Sequence, residues 1–192
     1  MTLHATVQAL GALGVCAAVT VCALCVTKST AQSAKEAQPQ AGSNASPIYG
    51  VTIPAGYRDW RLISVGHLAG GNLKQLRAQL GNDIAIKAFR EGKLPFPDGT
   101  IIAALHWNEA SSDENNKVLA SGFPGAGLQS SVAGSAENVQ FMVKDSKKYA
   151  ATGGWGFGRS VNVKPVDEAQ HKTCFGWHEA NVHDLVFTRL AL

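Results

Sequence analysis

The sequence predicts a mainly β domain of the α+β class, in which an antiparallel sheet is accompanied by a few short helices. Three observations support this prediction. Short apolar runs, partly β-branched, recur along the chain, as is typical of strands. Segments rich in Gly and Ser separate them, and a clear helical spacing of apolar residues is confined to one stretch. No internal repeat suggests another architecture.

The strands are predicted from pattern and composition, in chain order. Residues 61–65 alternate weakly and include β-branched side chains, which indicates a strand. Residues 73–80 fit helical and strand spacing equally, so their type stays open. The apolar runs at residues 100–107 and 139–143 predict buried strands. Residues 149–157 contain three glycines, and we expect a strand with a bulge or a close backbone approach there.

One helix carries clear boundary signals. Asn82 and Asp83 form an N-cap signal, and Gly92 supplies a stop. Between them, one helical face is apolar and consists of Ile84, Ala85, Ala88 and Phe89. The segment 95–99, Pro-Phe-Pro-Asp-Gly, has turn composition because Pro fixes φ and Gly tolerates positive φ.

The bulk composition is that of a globular protein. The chain has 192 residues, 45% of them hydrophobic and 16% charged, which suffices for one domain with a sizeable core. The formal net charge is +3, and no basic stripe or alternation of aromatic and basic residues appears. We therefore expect no nucleic-acid partner.

The first 47 residues divide into two non-globular segments. Residues 1–31 contain an apolar run followed by small residues, which predicts a signal peptide cleaved after Ala31 and a periplasmic protein. A retained membrane anchor is the alternative. Residues 32–47 are rich in Gln, Ala, Ser, Asn and Pro, as in a disordered linker. The folded domain is accordingly predicted over residues 48–192.

Cysteine usage singles out one thiol. Cys16, Cys22 and Cys25 all lie in the predicted signal peptide, so its removal leaves only Cys174. A lone cysteine excludes an intramolecular disulfide framework. It must be free, linked to another chain or bonded to something else, with haem as the obvious candidate.

The segment from Cys174 to His178 reads C-x-x-W-H, one residue away from the haem attachment motif C-x-x-C-H. Trp177 replaces the second cysteine. On a helix, Cys174 and His178 face the same way, so the thiol can form a single thioether while the imidazole binds iron. Trp177 either packs against the macrocycle where a thioether would lie or fills a cavity left by lost haem.

Two other interpretations of this segment remain open. A buried free cysteine beside a surface histidine requires no cofactor. A Cys/His metal cluster would add His171 and His183, although their spacing matches no common zinc pattern. Elsewhere, His106 on an apolar strand is either a distal-pocket residue or an ordinary core histidine. Glu137 is a candidate for a polar role near such a pocket, although a solvated surface position is favoured.

The chain resembles the cytochrome P460 and cytochrome c′-beta family over nearly all of residues 49–192. The stretches that carry the resemblance are GNDIAIKAFREG (81–92), LPFPDGT (94–100), ENNKV (114–118), NVQFMVKDS (138–146), KYAATGGWG (148–156), HKTCFGWHE (171–179) and VFTR (186–189).

The resemblance implies a small periplasmic protein, mainly antiparallel β and usually a homodimer, with one c-type haem. It implies that His178 is the axial iron ligand and that Cys174 provides one thioether. Some members oxidise hydroxylamine with the help of a lysine cross-linked to the porphyrin, and others bind nitric oxide. Two departures stand out: Trp177 occupies the second cysteine position, and the strand expected to carry that lysine, residues 101–108, contains none.

Three functions are therefore compared. The first is a periplasmic haem protein that binds nitric oxide or a related small nitrogen species, with redox activity toward a partner cytochrome left open. The second is an enzyme that oxidises hydroxylamine. The third is a haem-free β domain with a binding role only.

Overall fold

The computed structural model describes residues 44–191, which form one antiparallel sheet of six strands in sequential order. The strands are β1 (Arg61–Gly70), β2 (Leu73–Gly81), β3 (Ile101–Ser111), β4 (Ser131–Lys144), β5 (Trp155–Val161) and β6 (Lys164–Pro165). The helices are α1 (Asp83–Glu91), α2 (Asp113–Gly122) and α3 (Glu168–Glu179). The predicted α+β fold with an antiparallel sheet is confirmed. None of the helices in the described part is long and apolar enough to span a membrane.

The predicted signal peptide and most of the predicted linker lie outside the described residues. The described chain begins at residue 44. Ser46 is buried, and its hydroxyl donates to the carbonyl oxygen of Phe157 at 2.9 Å. The segment just before residue 48 therefore contacts β5.

Helix α1 forms where its local signals predict. The side-chain oxygen of Asn82 accepts a hydrogen bond from the amide of Ala85 at 2.9 Å, as an N-cap residue does. Gly92 ends the helix with φ 59°, a left-handed conformation that glycine adopts without steric cost. The apolar face then buries Ala85, Ile86 and Ala88.

The strands extend beyond their apolar runs. Residues 73–80, left open by periodicity, are a strand. Strand β1 continues to Gly70 and β4 begins at Ser131. The residues added to the prediction are mostly exposed, so hydrophobic alternation does not mark them. The strand predicted over residues 149–157 begins only at Trp155.

The reason for this late start is local backbone geometry. Residues Ala150–Thr152 form a 3-10 turn, and Gly153 and Gly154 have φ of 64° and 83°, which is incompatible with an extended strand. The predicted close approach occurs at Gly156, where a Cβ would lie 2.3 Å from the Tyr149 ring. Glycine is therefore required for that ring to pack on β5.

Strand register places polar side chains in a row across one face of the sheet. Gln79 pairs with Ala104, Ala104 with Gln140, and Gln140 with Arg159. Directly paired residues project from the same face. This face, rather than the opposite one, which carries core residues such as Ala103 and Leu105, is the wall of the site described next.

Candidate functional site

A pocket of about 460 Å³ lies between this polar face, α3 and the C-terminal segment. Its size is within the range of ligand and cofactor sites. It brings together the four residues singled out from the sequence, which are His106, Cys174, Trp177 and His178. The sheet contributes His106, and α3 contributes the other three.

Helix α3 is fixed on the sheet by His171. This side chain is fully buried. Its Nδ1 lies 2.8 Å from the carbonyl oxygen of Asp167 and its Nε2 3.1 Å from the amide of Arg159. A carbonyl only accepts and an amide only donates, so Nδ1 carries the proton and Nε2 accepts. Both nitrogens are thus used within the protein.

The Cys/His cluster considered from the sequence is therefore wrong. His171 has no nitrogen left for a metal ion. Among residues 44–191, no group of three or more His, Cys, Asp and Glu side chains could hold one. A metal in this pocket would need further ligands from outside the protein, such as the four nitrogens that a tetrapyrrole provides to iron.

His178 is held with one nitrogen available. Its Nδ1 donates to the carbonyl oxygen of Leu185 at 2.8 Å, so the lone pair is on Nε2. Burial lowers the pKa of His178, against the opposing effect of the Leu185 hydrogen bond. Metal-binding histidines typically donate their other N–H to a carbonyl in this way, which fixes tautomer and ring orientation. The Phe157 and Phe187 rings lie 5.1 and 5.5 Å away.

Cys174 lies one helical turn before His178 and lines the same pocket. It is half-buried. Burial raises the pKa of its thiol, while the Arg159 guanidinium acts in the opposite direction. A raised pKa is typical of an unreactive thiol rather than a redox or nucleophilic one.

Trp177 lies at the rim of the pocket. It exposes 61% of its surface, and its ring centroid is 4.5 Å from that of Phe187 and 5.2 Å from that of His178. A residue that fills a collapsed cofactor cavity would be buried, so Trp177 does not have that role.

His106 is buried and lines the pocket from β3. Burial lowers its pKa to about 4, and the charges of Arg77 and Arg159 act in the same direction. The imidazole is therefore neutral near pH 7 and offers one donor and one acceptor. His106 is thus buried and also lines the pocket, and its role toward a bound ligand stays a prediction.

Four polar residues of the sheet that line the same pocket were not predicted from the sequence. They are Arg77, Gln79, Gln140 and Arg159. The available signal was the i, i+2 spacing of Arg77 and Gln79, which puts both on one face of a strand. It could not be used because the type of residues 73–80 was open.

No lysine is among the residues that line this pocket in the described chain. The pocket-lining residues of β3 are Ile102, Ala104 and His106. The strand expected to carry a cross-linking lysine thus presents two apolar side chains and an imidazole instead.

The model of one protein family, cytochrome P460, matches residues 54–188, well over half of the chain. The chain belongs to the cytochrome P460 family. A search of curated proteins found no match. The family identified from the sequence is confirmed, and membership in the cytochrome P460 family implies a haem cofactor.

The pocket of this cytochrome P460 protein fits such a group. His178 presents a fixed lone pair, and Cys174 lies on the same wall. Apolar side chains line the floor, among them Ile102, Met142 and Phe157. These features match the needs of a flat, apolar cofactor with one protein-derived iron ligand.

Proposed function

We propose that this chain is a periplasmic c-type-like haem protein that binds nitric oxide or a related small nitrogen species. The observation that carries the proposal is the hydrogen bond from His178 Nδ1 to the Leu185 carbonyl. It leaves Nε2 available at the pocket, which is the arrangement required of an axial ligand.

Two residues would hold the cofactor. Cys174 would form one thioether, since it is the thiol on the pocket wall, and His178 Nε2 would bind the iron. The haem would then supply an iron able to take a small ligand. Trp177, on the same helix, would lie beside the edge that a second thioether would otherwise anchor.

The sheet supplies the environment for the ligand. His106 is neutral and buried, so it can donate a hydrogen bond without bringing a charge of its own. Ile102, Ala104 and Met142 line the same wall and exclude water. A pocket in which apolar side chains lie beside a neutral hydrogen-bond donor such as His106 suits a diatomic or similarly small ligand.

Hydroxylamine oxidation is less well supported. In the family that chemistry relies on a lysine bound to the porphyrin, and the residues lining the described pocket include none. A haem-free binding role is also less well supported, because it gives no role to the free Nε2 of His178 and because the family is one of haem proteins.

The cellular setting belongs to the same proposal. The apolar segment within residues 1–31 supports export to the periplasm, where haem attachment takes place. We propose a homodimer in that compartment, by likeness to the family, with a small cytochrome as electron partner where redox turnover occurs.

The test is a nitric oxide titration of the reduced protein, purified with its haem from periplasmic expression. We expect saturable binding with one ligand per haem. The variant His106→Leu should lose a hydrogen bond of about 1 kcal/mol, so nitric oxide should dissociate roughly fivefold faster. His67→Leu is the matched control, since His67 lies on β1 outside the pocket. An absorption spectrum unchanged by nitric oxide would contradict the proposal.

A further inference from the structure

The inner wall of the pocket carries two guanidinium groups, those of Arg77 and Arg159. Within residues 44–191 neither forms an ion pair with a carboxylate. The charge of Glu137 acts on Arg77 and raises its pKa, although burial has the larger, opposite effect. Gln75 lies between the two side chains: its amide nitrogen donates to Glu137, and its oxygen accepts from Arg77 Nε at 2.7 Å. These hydrogen bonds hold the Arg77 side chain in place without a direct ion pair.

Among the described residues, Arg159 lacks a hydrogen-bond partner for its Nε as well as an ion pair. Its Nε is buried and has no hydrogen-bond partner in the described chain. Buried charged groups in proteins are almost always paired or hydrogen-bonded. No side-chain nitrogen of Arg159 has a hydrogen-bond partner among residues 44–191, and the side chain lines the pocket. An anionic ligand or a bound ion in the pocket would supply an acceptor for this guanidinium.

The charges on this wall act on one another. The positive charge of Arg159 contributes to lowering the pKa of Arg77, after the larger effect of burial. Both arginines also act on His106. Two cations that converge on one cavity repel each other unless an anion lies between them. The side-chain amides of Gln79 and Gln140 line the same wall and add neutral donors.

We propose that Arg77 and Arg159, with His106 and Gln140, form a binding site for a small planar oxyanion of the nitrite type inside the haem pocket. This inference rests on the proposed function, and it names an anionic nitrogen oxide as a ligand beside neutral nitric oxide. Guanidinium groups are planar forks that bind planar oxyanions through two parallel hydrogen bonds. A neutral diatomic ligand offers no such acceptor pair.

The same chemistry could come from the cofactor, because the haem carries two propionate carboxylates of its own. The two sources make different demands on the arginines. A free oxyanion site alters nitrite affinity and leaves haem retention unchanged, whereas a carboxylate clamp alters haem retention and leaves the preference between nitrite and nitric oxide unchanged.

The experiment titrates sodium nitrite into the ferric, haem-loaded full chain at low ionic strength and follows binding by absorption. Arg77→Gln and Arg159→Gln should each weaken nitrite binding at least tenfold, with nitric oxide affinity of the reduced protein within twofold of the parent and an unchanged haem-to-protein ratio. Arg90→Gln, an exposed position on α1, is the matched control and should bind nitrite like the parent. Arg159→Lys retains the charge without the fork and should be intermediate, which also covers the case in which Arg159→Gln folds poorly.

Three outcomes would overturn the inference. One is a parent protein that does not bind millimolar nitrite, and another is equal nitrite affinity in the parent and both glutamine variants. The third is loss of haem from the variants with an unchanged ratio of nitrite to nitric oxide affinity, which assigns the arginines to the propionates. A parent that binds nitrite but not nitric oxide would instead refute the proposed function and leave the oxyanion site standing.

Discussion

Replacing Trp177 by cysteine completes the C-x-x-C-H motif and tests whether the pocket still accepts the doubly attached cofactor. The neighbouring residues Cys174 and His178 already line the pocket. Restoring the second thiol should allow a second thioether, which keeps the haem tethered when the bond between histidine and iron opens. We expect the haem-to-protein ratio to rise toward one.

The stability cost of this substitution can be worked from the exposure of the side chain. Trp177 exposes 61% of its surface. Of the roughly 250 Å² that a tryptophan can bury, it therefore buries only about 100 Å². At about 25 cal/mol per Å², the lost contact amounts to about 2 kcal/mol, less than the roughly 3–5 kcal/mol of a fully buried tryptophan. The melting temperature should fall by about 4–8 °C in a domain of this size before any gain from the second thioether.

The assay measures haem content by pyridine haemochrome and melting temperature by circular dichroism for the parent, Trp177→Cys and Trp177→Ser. The serine variant has nearly the same size as the cysteine variant but lacks the thiol, so their difference isolates thioether formation. The reasoning would be refuted by equal haem contents in the two variants together with a loss of stability typical of a buried tryptophan.

The other predictions concern Cys174, His171 and His106. Haem in the parent should resist acid–acetone extraction and become extractable in Cys174→Ser; complete extraction from the parent would contradict single thioether attachment. His171→Ala should lower the free energy of unfolding by about 2–4 kcal/mol, because two buried hydrogen bonds are lost and the Arg159 amide is left unpaired. Its haem spectrum should nevertheless match that of His183→Ala. A change in iron ligation would show that His171 does more than fix helix α3 on the sheet. The pKa of His106 is lowered to about 4 in the folded protein, from the ordinary value of 6.5. As the pH falls, the unfolded chain therefore takes up this proton before the folded protein does. Stability should thus be unaffected above pH 6.5 and fall by up to about 3 kcal/mol as the pH approaches 4. Urea unfolding of His106→Gln should lack that part of the pH dependence, and identical slopes in parent and variant would contradict it.

The part of the fold that the sequence predicts well is the part specified locally. Helix α1 is set by a cap at Asn82 and a left-handed Gly92, both readable from neighbouring residues. Helix α2 has no buried residue, so its sequence lacks the apolar face from which a helix is predicted. The exposed ends of β1 and β4 form because distant strands pair with them, and hydrophobic alternation carries no information about such pairing.

The site shows the same division. Cys174 and His178 are close in sequence, so their motif identifies them directly. Arg77 and Arg159 are far apart in the chain. They line one pocket because strand pairing places Arg77 beside His106 and Arg159 beside Gln140 on the same face of the sheet. Likewise, His171 fixes helix α3 on the sheet through a tertiary contact, the hydrogen bond that its Nε2 accepts from the Arg159 amide of β5. The register of strand pairing cannot be predicted from a single sequence, so the placement of Arg77 and Arg159 in one pocket was missed.

Haem binding through His178 can be tested by one comparison of absorption spectra. The chain is expressed with a functional haem attachment system, and spectra are recorded for the parent and for His178→Gly with and without added imidazole. We predict a Soret band in the parent, its displacement in His178→Gly, and its return when imidazole occupies the space of the missing side chain. A parent without a Soret band, or a His178→Gly spectrum identical to that of the parent, would contradict the account.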